Sequence, residues 1–339
     1  MRTRTKAGIV VLAAVLSLLA GAGIGSVSVS PADICRVLAN RLFGLPLPEN
    51  FSSVTPGLVL NIRLPRVTLS FAAGAAAAMG GVVMQSVLKN PLASPYGLGV
   101  SSGAGLGAAL VIVSGLGAGA LGTLALPAVS LAFGLATVGA AIFLSSRLDR
   151  SLSNNTIILT GMVLSLFTNA LMSTVSAANP EYSQRILLWQ LGSFSGRGWE
   201  ASAMVAAMAA VCLAGFLRLS PELDAMTFGE EQARALGVEL RRVKWVLIVL
   251  VAALTGTSVA FAGVIGFVDL IAPHVVRRFF GARHRLVLPM AALLGGAFMT
   301  VCDLAARTLA SPSEIPVGSI TALIGAPFFL YVYFSHRRR

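Results

Sequence analysis

A chain of 339 residues that is 56% hydrophobic and 11% charged, with a mean hydropathy of +0.85, cannot be a soluble globular domain, which carries about 25% charge. Its long runs rich in alanine, leucine and glycine exclude a β-barrel of short alternating strands, and predict an all-α polytopic membrane protein of about ten transmembrane helices. The net charge of +12 is placed between apolar runs, so no nucleic-acid partner is expected, and the scattered Cys35, Cys212 and Cys302 support neither a metal site nor a disulfide framework.

Arg2, Arg4 and Lys6 precede an apolar run from Ala7 to about Val29. It exceeds the hydrophobic region of a signal peptide, about 7 to 15 residues, and reads as a retained first span. A mixed outer loop follows, about 30–64, ending in Arg63-Leu-Pro-Arg66. Span two runs from about Val67 to Leu88, and the prolines at Pro91 and Pro95 then turn the chain. Span three starts near Gly97 with Gly99, Gly103 and Gly107 on one small-residue face, suited to close helix approach. Span four covers about Leu121 to Leu144, and span five about Asn155 to Ala177.

A second outer loop, about 178–199, carries Tyr182, Arg185, Trp189, Arg197 and Trp199 as interfacial anchors. Span six runs from Glu200 to about Leu217, and span seven from about Trp245 to Val264. Ile265 to Val276, broken by Pro273, is too short to cross and predicts a half-helix packed in protein. Span nine covers about Leu286 to Ala305, the loop 306–316 follows, and span ten ends near Phe334. The whole of 1–339 reads as one transmembrane domain.

The polar island between spans six and seven, about 219–240, has Ser220, Pro221 and Glu222 in the pattern of a capped helix start. After Gly229 a second short helix opens with Glu230 and Glu231, passes Ala233, Arg234 and Leu236, and stops at Gly237 in the manner of a left-handed C-cap. Two capped helices predict a surface gripped by a partner; a linker lying on the headgroups is the alternative.

With a cytoplasmic N-terminus and ten crossings, 18 of the 25 Lys and Arg fall inside. These are Arg2, Arg4, Lys6, Lys89, Arg147, Arg150, five in the island, Arg277, Arg278, Arg283, Arg285 and the final Arg337 to Arg339. The remaining seven, Arg36, Arg41, Arg63, Arg66, Arg185, Arg197 and Arg307, fall outside, a split that obeys the positive-inside rule and puts the island and both termini in the cytoplasm. No phosphate-binding loop, no H-E-x-x-H and no nucleophile elbow occurs, so neither ATP binding nor intramembrane catalysis by this chain is expected. Asp269 and Asp303 are the candidate carboxylates for an ion-coupled secondary transporter, the alternative reading; Asp303 also stands four residues before Arg307, where a local ion pair accounts for it.

One ordered set of motifs carries a resemblance: Arg63-Leu-Pro-Arg66; Asn90-Pro-Leu-Ala-Ser-Pro95; Leu98-Gly-Val-Ser-Ser-Gly-Ala104; Trp189-Gln-Leu-Gly-Ser193; Gly229-Glu-Glu-Gln-Ala-Arg-Ala-Leu-Gly237; Pro273-His274 with Arg277; Glu314-Ile-Pro-Val-Gly318; and Gly325-Ala-Pro-Phe328. Over about residues 60–330 the chain resembles the iron-siderophore, haem and vitamin B12 permeases of type II ABC importers. The resemblance implies a dimer with a second copy or a paralogue, two ABC-type ATPase subunits, a soluble substrate-binding protein, and residence in the bacterial cytoplasmic membrane, with no cofactor or bound metal of its own.

It further implies ATPase coupling at Gly229, Glu230, Glu231, Ala233, Arg234, Leu236 and Gly237, and binding-protein docking at Arg63, Arg66 and Arg307. Asn90, Leu92, Asn154 and Asn155 resemble the family's cytoplasmic gate, with Met79, Met84 and Gln85 along the path. Interfacial anchoring for the arginines, helix capping for Asn154 and packing for the methionines stay open beside those roles. His274 at a helix break reads as a structural hydrogen-bonder rather than a metal ligand. The family usually has glycine where this chain has Asp269, and a carboxylate there is expected to face water, Arg277 or Arg278.

Overall fold

The computed structural model describes residues 3–25, 29–48, 51–116, 122–149 and 153–337, without the side chains of 332–337. Arg2, Arg150, Arg338 and Arg339 of the orientation count, the side chain of Arg337, and Leu121 at the expected start of span four lie outside the described residues.

Among the described residues the chain is helical, with no strand. In order come α1 (Thr3–Gly23), α2 (Pro31–Phe43), α3 (Val54–Gly57), α4 (Leu64–Val87), α5 (Val100–Ser114), α6 (Ala125–Leu148), α7 (Asn154–Ala178) and α8 (Pro180–Gln190). Then follow α9 (Trp199–Arg218), α10 (Ser220–Phe228), α11 (Glu230–Ala235), α12 (Leu240–Ala262), α13 (Val268–Phe280), α14 (His284–Thr308) and α15 (Val317–Arg337). Seven helices, those containing α1, α4, α6, α7, α9, α12 and α14, are long and apolar enough to cross a membrane. Among the described residues two further apolar stretches, α5 and 317–331 of α15, bring these to nine, and with the half-helix α13 the count is in keeping with the expected ten or so.

Two expected loops turn out to hold helices. Within 30–64, Ser30 accepts the Asp33 N–H and caps α2, Gly44 closes it in the left-handed conformation, and α3 runs through the π-helical turn Leu58–Arg63 into α4. Arg63 and Arg66 therefore sit inside one helical run, Val54–Val87, and not in a loop. Within 178–199, Pro180 opens α8, and the Trp199 indole donates to the Leu60 carbonyl at 2.8 Å.

The central element is α4. Along its most apolar window 89% of residues are buried, against 28% for α7. The alanine-rich stretch 72–78 lets neighbours approach to backbone contact: a Cβ on Gly74 would run into the Gly295 carbonyl of α14. The small face of α5 works similarly, with Gly103 and Gly107 set against the Phe133 and Val129 carbonyls of α6. Gly99 instead adopts φ +89° at the start of α5.

The expected half-helix is α13. Gly263 at φ +79° ends α12, the Tyr96 hydroxyl donates to the Ile265 carbonyl at 2.8 Å, and α13 begins after Phe267. Pro273 lies within α13 rather than breaking it. A proline there removes the N–H that the Asp269 carbonyl would accept, and Gln85 Nε2 supplies a donor to that oxygen at 3.3 Å.

The two ends of the bundle are distinct. Lys6 donates to the Phe279 carbonyl at 2.8 Å, so the start of α1 and the end of α13 share one end. The finish of α1 meets Arg63 at the other.

Candidate functional site

At the Lys6 end, α10 and α11 lie folded against the bundle. Leu223, Met226 and Ala233 are fully buried in the main core with Phe216 and Leu247, while Phe228 and Leu236 are 76% and 71% exposed. Glu231, Arg234 and Gly237 face outward with them. The expected hydroxyl cap at Ser220 is absent; its Oγ donates back to the Leu217 carbonyl at 2.7 Å, because Ser220 continues directly from α9 with no extended residue between. Gly229 joins the two helices at φ +138°, where a side chain would meet Gln232.

At Gly237, φ +86°, the chain closes α11 as the pattern predicts. Its N–H donates to the Arg234 carbonyl at 2.9 Å and the Val238 N–H to the Ala233 carbonyl at 3.0 Å, the two bonds of a Schellman motif.

Beneath α11, the structure brings a coupling candidate and a gate candidate together. Lys244, 1% exposed, donates to Glu230 Oε1 and to Asn154 Oδ1, each at 2.9 Å. Asn155 is exposed beside it. Asn90 accepts the Leu92 N–H on its own Oδ1 at 2.9 Å, forming a tight turn that leaves Leu92 47% exposed. Met79 and Met84 are fully enclosed in the core, and Gln85 is spent on the Asp269 carbonyl, so these three pack within the chain rather than face an opening. The His274 ring lies edge-on to Phe328.

Sequence reasoning missed a second polar cluster at this end. Asp224 of α10 accepts the His284 backbone N–H at 2.9 Å and lies 2.6 Å from His284 Nδ1. The opposite ring nitrogen is 2.7 Å from Ser86 Oγ on α4, and Arg277 of α13 donates to that Oγ at 2.8 Å. Arg283 and Arg285 flank the histidine, so in sequence it reads as part of a basic turn, and Asp224 lies 60 positions away.

At the far end, the three docking candidates cluster, but each of them is engaged within the chain. Arg63 donates to the Ala22 and Gly23 carbonyls at 3.0 and 2.7 Å, and Arg307 donates to Gly21. These are carbonyls at the end of α1, which the helix itself cannot satisfy. Arg66 holds Asp303 with two nitrogens and Glu314 with a third, so Asp303 pairs chiefly with Arg66 and, more loosely, forms the expected ion pair with its helix neighbour Arg307 across 3.8 Å. Glu314 is the partly exposed member, and the Arg66 hydrogen bond pulls its pKa below the ordinary value.

Asp269 is 1% exposed and receives the Ser94 hydroxyl on Oδ2. It does not meet Arg277, which donates to the Val82 carbonyl and to Ser86.

The model of the FecCD transport family matches residues 10–335. An uncharacterized ABC transporter permease protein of Bacillus subtilis, YvrB, is 39% identical over 326 residues, covering 95% of this chain and 91% of the relative. YfmE of the same organism, an Fe(3+)-citrate import system permease protein, is 35% identical over 332 residues, covering 96% and 93%. Among solved structures, a chain of an ABC transporter assigned to the metal-chelate type, in an inward-facing conformation, superposes with a TM-score of 0.85 at 31% identity and covers 98% of this chain and 99% of that one.

Proposed function

Because the chain belongs to the FecCD transport family, we propose that it is the transmembrane permease subunit of an ATP-driven importer that passes a metal chelate into a bacterial cell. An iron chelate is the first candidate cargo, in keeping with the Fe(3+)-citrate relative, with haem or cobalamin next. ATP is hydrolysed by a separate pair of subunits seated under α10 and α11, a soluble binding protein delivers cargo at the Arg63, Arg66 and Arg307 end, and the path forms with a second copy or a paralogue. The Lys6 end faces the cytoplasm, the side to which the distribution of Lys and Arg also assigns both termini.

The observation that carries this reading is the build of α10 and α11. Their apolar sides are locked into the core while Phe228 and Leu236 stand in the open on a polar end, which a linker lying between spans does not require. The exposed Leu159, Met162, Val163, Leu166 and Phe167 of α7 support a further contact with lipid or a second permease.

Purification with the cognate ATPase and reconstitution into vesicles with the binding protein tests the proposal. Uptake of ferric citrate that needs ATP and survives collapse of ion gradients supports it. Uptake without any ATPase that dies with the gradient establishes the ion-coupled alternative.

A further inference from the structure

We propose that two polar chains, one per short helix and each centred on a buried side chain, tie α10 and α11 to the helix ends that carry the gate, and that His284 and Lys244 are the positioning residues that hold these ties. The inference rests on the permease reading above and specifies where within the chain the movement of the ATPase is passed on.

The first tie runs from α10 to α14, α4 and α13. An ionised Asp224 can only accept, so the His284 proton is assigned to Nδ1, which donates to it at 2.6 Å. The unprotonated Nε2 then takes the single Ser86 hydroxyl proton at 2.7 Å in place of the Val82 carbonyl 3.0 Å away, which Arg277 also serves, while Arg277 donates to the Ser86 oxygen at 2.8 Å. His284 is wholly buried. Ser86 lies one turn before Asn90 and Leu92, so the tie reaches the end of α4 that leads into the turn bearing them.

The second tie runs from α11 to α12 and α7. Glu230 meets Lys244, and the same ammonium reaches Asn154 in the first turn of α7. Lys244 is 1% exposed.

Apolar contacts such as those of Leu223 and Met226 hold the short helices down but let them slide, because dispersion has little direction. Charged hydrogen bonds in a water-poor interior are directional and costly to leave unmade, so groups joined by them shift together. The two ties therefore make α10 move with α4 and α13, and α11 with α7.

The experiment uses the assembled permease, ATPase and binding protein in vesicles. A Leu92→Cys probe is placed in a Cys35→Ser background, and its maleimide labelling rate is read with and without ATP. In the parent, ATP changes the labelling rate. Asp224→Ala and Lys244→Met are expected to keep the ATPase bound and hydrolysing while the ATP-dependent change shrinks about tenfold, the size of an ordinary coupling term. His284→Gln, whose amide can still bridge Asp224 and Ser86, is expected to restore part of the response that His284→Ala loses. Asp224 has a side chain 37% exposed, so its truncation leaves the core intact even where His284→Ala fails to fold. A full ATP response in both Asp224→Ala and Lys244→Met, with the ATPase bound, overturns the ties. A parent chain that binds no ATPase brings down the permease reading itself, and the ties with it.

Discussion

Arg66 and Asp303, 237 positions apart, form a two-pronged ion pair: Nη2 lies 2.8 Å and Nε 3.0 Å from Oδ1, with Asp303 only 1% exposed. The pair pins α4 to α14 near the end of α1. Removing Asp303 leaves the buried Arg66 with Glu314 as its remaining carboxylate, so Asp303→Ala is expected to cost about 1–3 kcal/mol, read as a lower thermal midpoint in detergent. The paired exchange Arg66→Met with Asp303→Leu is expected to recover most of that loss, since a well-packed apolar pair replaces two desolvated ions. Additive losses in the double variant would show that the two residues act separately.

Glu314 gives the same cluster a pH dependence. The Arg66 hydrogen bond lowers its pKa, with burial opposing and the Arg66 charge adding. A carboxylate whose folded-state pKa is depressed contributes stability that is fully present above its unfolded value, about 4.3, and is lost as pH falls through the lowered folded value. The thermal midpoint of the parent is therefore expected to drop on acidification below that range by more than that of Glu314→Gln. Parallel curves for the two would remove Glu314 as the titrating group.

The spans were legible where apolar runs are continuous, as in Leu286 to Ala305, and the half-helix was legible because Ile265 to Val276 is too short to cross. What hid α2 and α8 is their composition: each is amphipathic, mixes charges with apolar residues, and resembles a loop on average hydropathy. Side-chain pairing was hidden more deeply. Asp303 does form the ion pair with Arg307 that the four-residue spacing predicts, across 3.8 Å, but its hydrogen-bonded partner is Arg66 on α4, which no local spacing reveals; glycines at 74 and 295 bring those backbones together. Nothing local to His284 or Lys244 marks them as junctions, since their partners come from α10, α4, α11 and α7.

Asp269 is a buried carboxylate in the first turn of α13, and its environment makes a sharp test. Ser94 donates to Oδ2 of a carboxylate that is otherwise shut away from solvent. Ser94→Ala is expected to destabilise the chain by about 1–3 kcal/mol, the cost of leaving a buried acceptor unmet. Asp269→Gly in the same background is expected to return the thermal midpoint to near the parent's, because it removes the group that needs the donor. A Ser94→Ala loss that persists with glycine at 269 would place the role of Ser94 in its own backbone turn, where Oγ also accepts the Tyr96 N–H.

Gly237 separates backbone conformation from packing. Its φ of +86° lies in the left-handed region, yet a Cβ built there meets nothing within 4 Å. Substitution therefore acts through the turn alone. A β-branched residue pays about 1–2 kcal/mol to adopt that conformation, enough to open the Schellman closure of α11 and free Ala233 from its seat. Asparagine adopts it at small cost. In vesicles holding the ATPase and the binding protein, Gly237→Val is expected to lower ferric citrate accumulated per ATP hydrolysed by about 5- to 30-fold, the ratio matching that energy, with the binding protein still docked. Gly237→Asn is expected to stay close to the parent. Equal losses in both would mean that the side chain obstructs the ATPase seat directly, and no loss in either would remove the end of α11 from coupling.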